Sequence, residues 1–344
     1  MPAIFRMDAG QMPNSPALPA TSASRPDSVP WSVLVRHPLP GGLTLDKLRG
    51  SAWRPLSQGL HAQHYTQPAL VTAAALSQVL PRDSGFGHLS AAALRGWWMP
   101  NQLADHVWFA TTRSDVHVQR RGMYVRRSRR ADLQTVSGVR CVTPEHTLLE
   151  LARDLALIDL VPMVDCALNQ GTTADSILHA ASGRMRGSVV LRRAVALADP
   201  RSESWWETVL RLQHTTVGLG PVRCQVDLHD GSRFVARADL HLAGTDRYPE
   251  CDGGGHRDRD QHVSDLRRDK DLQRLGLDRY GYSTAEIATK PDDVIRDAEV
   301  ARGLPHDPAR IAAWRRLAGP STLTGHGRAR LRSRLRRYAL ASRR

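Results

Sequence analysis

From Phe234 to Leu242 apolar and polar residues alternate: Phe234, Ala236, Ala238, Leu240 and Leu242 share one face, and Arg237, Asp239 and His241 share the other. Side chains two apart on a strand point the same way, so the pattern predicts a strand with one buried and one polar face. Arg223–Leu228 reads as its partner, joined through Asp230-Gly231, a dipeptide suited to a tight hairpin. The chain must therefore cover the apolar face of an antiparallel hairpin. The opposite face carries an acid in mid-strand, Asp239, which is either solvated surface or a group held for a metal or a phosphate.

Further acids bracket this hairpin. Ser204-x-x-Glu207 opens a helix as a capping box, with Trp205, Val209 and Leu212 on its core face. Glu207 fits a helix cap and a metal neighbour equally. After the hairpin, Tyr248, Glu250 and Asp252 share a face of the next strand, which brings Glu250 beside Asp239 if the strands pair. His256 follows the turn Gly253-Gly254-Gly255 and is either an exposed histidine or a group that orients or deprotonates a water. Asp265, Arg268 and Asp269 lie three and four apart on a helix and face one way. They form either a salt-bridged surface or a set in which Arg268 clamps a phosphate, Asp265 holds His256 and Asp269 supports them. Phosphodiester hydrolysis needs a divalent cation held by two or three carboxylates, and acids from one helix and two strands supply such a cage. Cys251, His256 and His262 lack the paired spacing of a zinc site.

The charge balance points to a polyanion. Forty-eight Lys plus Arg stand against 34 acids, a net charge of +14, and nearly all the cations are Arg, which grips phosphate bidentately. Arg120, Arg121, Arg126, Arg127, Arg129 and Arg130 crowd one segment. The last 17 residues hold eight Arg and no acid, with Leu331, Leu335 and Tyr338 at helical spacing, so Arg330 and Arg334 lie on a basic amphipathic helix or in a basic tail. The narrow apolar face lacks the Trp or Phe anchors of a membrane-surface helix. No apolar run reaches about 18 residues and no secretory signal pattern opens the chain, so neither a membrane span nor export is expected. Four widely spaced cysteines without a Cys-x-x-Cys pair fit a reduced, cytoplasmic setting.

Residues 1–40, rich in Pro, Ser and Ala without periodicity, read as weakly ordered or disordered. Thr44 suits the cap of a short helix to Leu48, and Trp53–Leu60 a wing-like strand. Val71–Val79 is helical, and Ser90 caps a helix to Gly96. His106–Ala110 and Gly122–Arg127 are strands. Thr143-Pro144 starts a helix, a second ends near Leu168, and a third covers Ser188–Ala198 before Asp199-Pro200 breaks the chain.

Two resemblances follow from these segments. Glu207-Thr-Val-Leu-Arg211, Arg237-Ala-Asp239, Glu250-Cys-Asp252-Gly253-Gly-Gly-His256 and Asp265-Leu-Arg-Arg268-Asp269 resemble the very-short-patch-repair (Vsr)-like domain of the PD-(D/E)XK endonuclease superfamily. Trp53-Arg-Pro-Leu56, His88-Leu-Ser-Ala-Ala-Ala-Leu-Arg-Gly96 and Val142-Thr-Pro-Glu-His-Thr-Leu-Leu-Glu-Leu-Ala152 resemble AbiEi-type antitoxins of actinobacteria. The resemblance implies an α+β chain, with a degenerate winged-helix, antitoxin-like region at 41–198 and a restriction-endonuclease-like mixed sheet flanked by helices at 199–303; the residue pattern adds a basic, helical tail at 304–344. The resemblance also implies Mg²⁺ or Mn²⁺ on Glu207, Asp239 and Glu250, with Asp239, Glu250, Asp252 and His256 catalytic; DNA is expected to be held by Arg237 and Arg268 and, from the arginine clusters, by Arg126, Arg127, Arg330 and Arg334. The chain departs from the superfamily in having Asp252 where Lys is usual, and Pro249 in the strand. Two functions are expected: a metal-dependent DNA endonuclease or nickase, or a non-catalytic DNA-binding antitoxin with a cognate toxin as partner.

Overall fold

The computed structural model describes residues 32–34, 39, 43–63, 69–100, 108–115, 118–120, 122–252 and 274–341. His256, Asp265, Arg268 and Asp269 fall outside them, as does nearly all of 1–40. The chain packs as two compact units, Met1–Leu151 with Arg332–Arg344, and Ala152–Leu331.

The first unit opens with β1 (Ser32–Leu34), α1 (Leu45–Arg49), β2 (Trp53–Ser57) and β3 (Leu60–Gln63). Thr44 caps α1 as expected, its hydroxyl accepting the Lys47 amide at 3.2 Å. The segment read as one wing-like strand is a hairpin, β2 and β3, completed by β1 in the order β1-β3-β2. Pro55 is tolerated because β2 is an edge strand, where a missing N–H breaks no ladder.

Next come α2 (Ala69–Ser77), β4 (Ser84–Phe86), α3 (His88–Leu94), β5 (Trp108–Thr112), β6 (Met123–Arg127), β7 (Leu133–Val136), β8 (Val139–Val142) and α4 (Pro144–Leu151). The five strands form a mixed sheet in the order β6-β5-β4-β8-β7, with β4/β8 and β5/β6 parallel. Its core gathers Phe86, Met123, Val139 and Cys141 with Ala73 and Leu76 of α2. Phe86 and Met123 are essentially sealed from solvent, each stabilising the unit by about 2–3 kcal/mol before entropy is counted. The strand expected at 106–110 is described from Trp108 onward, residues 106 and 107 lying outside the described residues.

The second unit holds α5 (Leu157–Asn169), α6 (Ala174–Ala180), α7 (Ser188–Leu197), α8 (Trp205–Thr215), β9 (Val222–Asp230), β10 (Arg233–Leu242), β11 (Arg247–Asp252), β12 (Asp278–Ser283), α9 (Thr284–Thr289), α10 (Pro291–Ala301) and α11 (Pro308–Ala318). A last helix, α12 (Gly325–Ala341), begins in this unit and ends in the first. β9 and β10 form the expected hairpin, while β11 and β12 pair in parallel.

One expectation fails inside the hairpin. Phe234, placed by alternation on the apolar face, is 56% exposed. The register shifts between Phe234 and Ala236, and an extra residue in one strand turns the preceding side chain to the other face. From Ala236 onward the alternation holds, with Ala236, Ala238, Leu240 and Leu242 buried. Mixed helices and sheets of both kinds make the chain α+β.

Candidate functional site

Of the acids singled out in the sequence, Glu207, Asp239, Glu250 and Asp252 are described, all of them in the second unit. Glu207 lies in the first turn of α8, its carboxylate accepting the Glu203 amide and the Gln225 side chain, each at 2.9 Å. The Ser204 hydroxyl accepts the Glu207 amide at 3.1 Å, so half of the capping box forms and the carboxylate turns to the residue before the cap. Burial raises the Glu207 pKa above the usual carboxylate range.

Asp239 reaches from β10 to β11, where its Oδ2 accepts the Cys251 amide at 3.0 Å. Amides two apart on a strand face the same side, so Pro249, without an N–H, and Cys251, whose N–H goes to a carboxylate, withdraw two donors from the β10–β11 seam. That accounts for two separate two-stranded ladders where one sheet was expected. Burial, and then the charges of Asp239, Glu207 and Asp252, push the Cys251 thiol up to about 12. Three carboxylates therefore act on one thiol, and Cys251 stays protonated at neutral pH.

Glu250 is 5% exposed and ion-paired with Arg279 of β12, Nε to Oε2, at 2.6 Å. The same guanidinium stands 3.8 Å from Asp252. Among the described residues no group of three or more His, Cys, Asp or Glu side chains is placed to hold a metal ion. Glu207 is committed to a helix start, Asp239 to an amide and Glu250 to a guanidinium. Among the described residues the donor set as arranged does not fit the implied Mg²⁺ or Mn²⁺, so no reaction step is routed through it.

The basic candidates separate by environment. Arg237 faces Asp227 directly across the hairpin at 2.7 Å, an exposed cross-strand pair. In the first unit Arg126 donates to the Tyr338 hydroxyl at 3.4 Å and its guanidinium lies 5.6 Å from that ring and 5.8 Å from the Tyr124 ring. Arg127 donates to the Asp115 carbonyl at 3.0 Å, and Arg129 pairs with the Asp115 carboxylate, holding it below its ordinary pKa. On α12 Leu331 and Leu335 are buried, whereas Arg330, Arg332, Arg336 and Arg337 are exposed and Arg334 is half-buried. The Tyr338 ring packs 4.5 Å from Tyr124 and 5.5 Å from Phe109, fixing the C-terminal part of this helix in the first unit. No acidic residue follows Asp307 in the chain, so this face has no acid of its own element to neutralise it.

Sequence reasoning missed a buried polar cluster beneath the mixed sheet. Glu150 of α4, 2% exposed, accepts the His88 amide at 2.7 Å and the Thr111 hydroxyl, with His146 Nε2 at 3.7 Å. His88 sits at φ +49° with its ring 4.3 Å from Phe109. A β-carbon at Gly87 would lie 2.3 Å from the Glu150 carboxylate. The available signal was the pairing of His146 with Glu150 four residues on, one helical turn apart.

Residues 85–199 match the family model of the AbiEi antitoxin C-terminal domain. The antitoxin likeness read over 41–198 is thus found from residue 85 onward, and it is the antitoxin's C-terminal part that matches. The nuclease-like likeness read over 199–303 has no counterpart in this match. Two Mycobacterium tuberculosis proteins, Uncharacterized protein MT2308 of strain CDC 1551 / Oshkosh and Uncharacterized protein Rv2248 of strain H37Rv, are each 30% identical over 236 residues, covering 65% of this chain and 81% of the relative. No solved structure matches. Among the described residues no helix is long and apolar enough to cross a membrane.

Proposed function

The chain belongs to the family of these two mycobacterial proteins and carries an AbiEi antitoxin C-terminal domain, and from that premise we propose that it is a DNA-binding antitoxin-type regulator whose partner is a cognate toxin. The match over 85–199 carries this reading. The exposed Arg332, Arg336 and Arg337 of α12 supply a matching surface: three guanidiniums with no acid on their own helix, anchored by Tyr338. Such a row contacts the phosphate backbone and positions a protein on a duplex without reading sequence. Fluorescence anisotropy with duplex DNA from upstream of its own gene, across a salt series, tests the proposal, alongside co-expression with the product of the adjacent reading frame. Salt-sensitive binding and rescue of growth are expected; salt-independent or absent binding sinks the DNA reading.

A second reading, a Vsr-like metal-dependent nuclease, is favoured by one observation: Glu207, Asp239 and Asp252 all act on the Cys251 thiol, as acids gathered at one site would. The order α8, β9, β10, β11 and then a parallel β12 is compatible with it. Nicking of supercoiled plasmid with Mg²⁺ or Mn²⁺, lost in Asp239→Ala with Glu250→Ala, would carry this reading; an intact plasmid with both metals would remove it.

A further inference from the structure

The implied metal and the acid cluster disagree, and the disagreement has a definite cause. β11 and β12 run parallel with Tyr248 opposite Arg279, Glu250 opposite Gly281 and Asp252 opposite Ser283. Side chains in register on neighbouring strands share a face, so Arg279, Gly281 and Ser283 line the same side as Tyr248, Glu250 and Asp252. Gly281 is the gap in that row: a β-carbon there would meet the Asp252 carboxylate at 2.4 Å. The missing side chain lets Asp252 lie over β12 and lets Arg279 reach diagonally to Glu250.

We infer that Arg279 is the resident cation of this cluster, standing where a divalent ion would otherwise sit, and that the native chain does not take up Mg²⁺ at these carboxylates. Guanidinium is charged at every accessible pH and has five donors and no acceptor, so it serves carboxylates as a cation without being a metal ligand. It stands 2.6 Å from Glu250 and 3.8 Å from Asp252. A dication entering beside it would meet a fixed positive charge within a few ångström in a partly desolvated place. Mg²⁺ also demands a near-octahedral set of oxygens, and Glu250 already gives one of its two to Nε. Arg279 itself borders a cavity of about 620 Å³ lined by Tyr280, Tyr282, Lys290, Arg296 and Asp297 among others, so its removal opens the cluster to solvent without emptying a packed core. The inference concerns ion occupancy and holds whether or not the chain binds DNA.

Mn²⁺ binding to the full chain, read by electron paramagnetic resonance of the free ion, compares wild type, Arg279→Gln, and Arg279→Gln combined with Glu250→Gln. Wild type should leave the ion free at millimolar concentration. Arg279→Gln should bind it roughly 100-fold more tightly, since removing the positive charge lifts its repulsion of the dication, and the double variant should lose that gain. Uptake by wild type that Arg279→Gln weakens or leaves unchanged overturns the inference, as does a folded Arg279→Gln chain that takes up none. Should Arg279→Gln not fold, the Arg279 side-chain Nε–H resonance of wild type decides: no response to added Mg²⁺ supports the inference, and a saturating shift overturns it.

Discussion

Arg211 of α8 places Nη2 2.8 Å from the Asp165 carboxylate of α5, with both side chains shut away from solvent. Asp165 also accepts the Thr208 hydroxyl at 2.7 Å and the Asp199 amide at 2.8 Å, and Arg211 donates to the Leu197 carbonyl at 2.6 Å. This buried node joins the last helices of the antitoxin-matched segment to the first helix of the acid-bearing part. Burial pushes the Asp165 pKa up to about 6 although Arg211 pulls it down.

Breaking one partner of this node should cost far more than replacing both. Asp165→Ala strands a guanidinium in a low-dielectric site, a loss of about 3–5 kcal/mol. Asp165→Leu with Arg211→Met should recover most of it. Urea denaturation of the three chains checks the order; equal losses for single and double variants would show that the ion pair is not what holds the helices.

Asp159 supplies a pH dependence with the opposite sign to that of an ion-paired carboxylate. It is buried in α5 with no cation paired to it among the described residues, accepts the Thr322 amide at 3.0 Å and hydroxyl at 2.7 Å, and burial lifts its pKa from 3.8 to about 7. Between those values the folded chain holds a proton that the unfolded chain has released, so stability falls as pH rises from about 4 to about 7 and levels off above. Asp159→Asn keeps an acceptor for Thr322 and no charge. Its melting temperature relative to wild type should be several degrees more favourable at pH 8 than at pH 5, and parallel curves would rule the effect out.

Gly87→Ala tests the buried carboxylate of the first unit. The added methyl lands on Glu150 and, at 2.9 Å, on the Thr111 hydroxyl oxygen. Displacing Glu150 leaves the His88 amide and the Thr111 hydroxyl without their acceptor, so a loss of about 2–4 kcal/mol is expected in thermal or urea unfolding. Stability within about 0.5 kcal/mol of wild type would show that the cluster yields without cost.

For the nucleic-acid face, Arg332→Glu, Arg336→Glu and Arg337→Glu together should weaken duplex binding uniformly across sequences and flatten the log–log salt dependence by about three. Tyr338→Ala should weaken binding by loosening the helix while leaving that slope nearly intact, because it removes no charge. Unchanged affinity in the triple variant would move the interface elsewhere.

Local pattern by itself determined the hairpin, the caps at Thr44 and Ser204, the helix at Pro144 and which helix and strands carry the acids, because each rests on neighbours in sequence or on period-two and period-3.6 spacing. Only the tertiary structure decided what those acids do. Arg279 lies 29 residues from Glu250 and meets it only because β11 and β12 pair in parallel across the gap at Gly281. Asp165 likewise meets Arg211 over 46 residues, and Glu150 meets His88 over 62. Phe234 turned outward through a register shift that alternation does not encode. A carboxylate's role is set by the cation or amide it faces in space, and strand pairing, not spacing along the chain, chooses that partner.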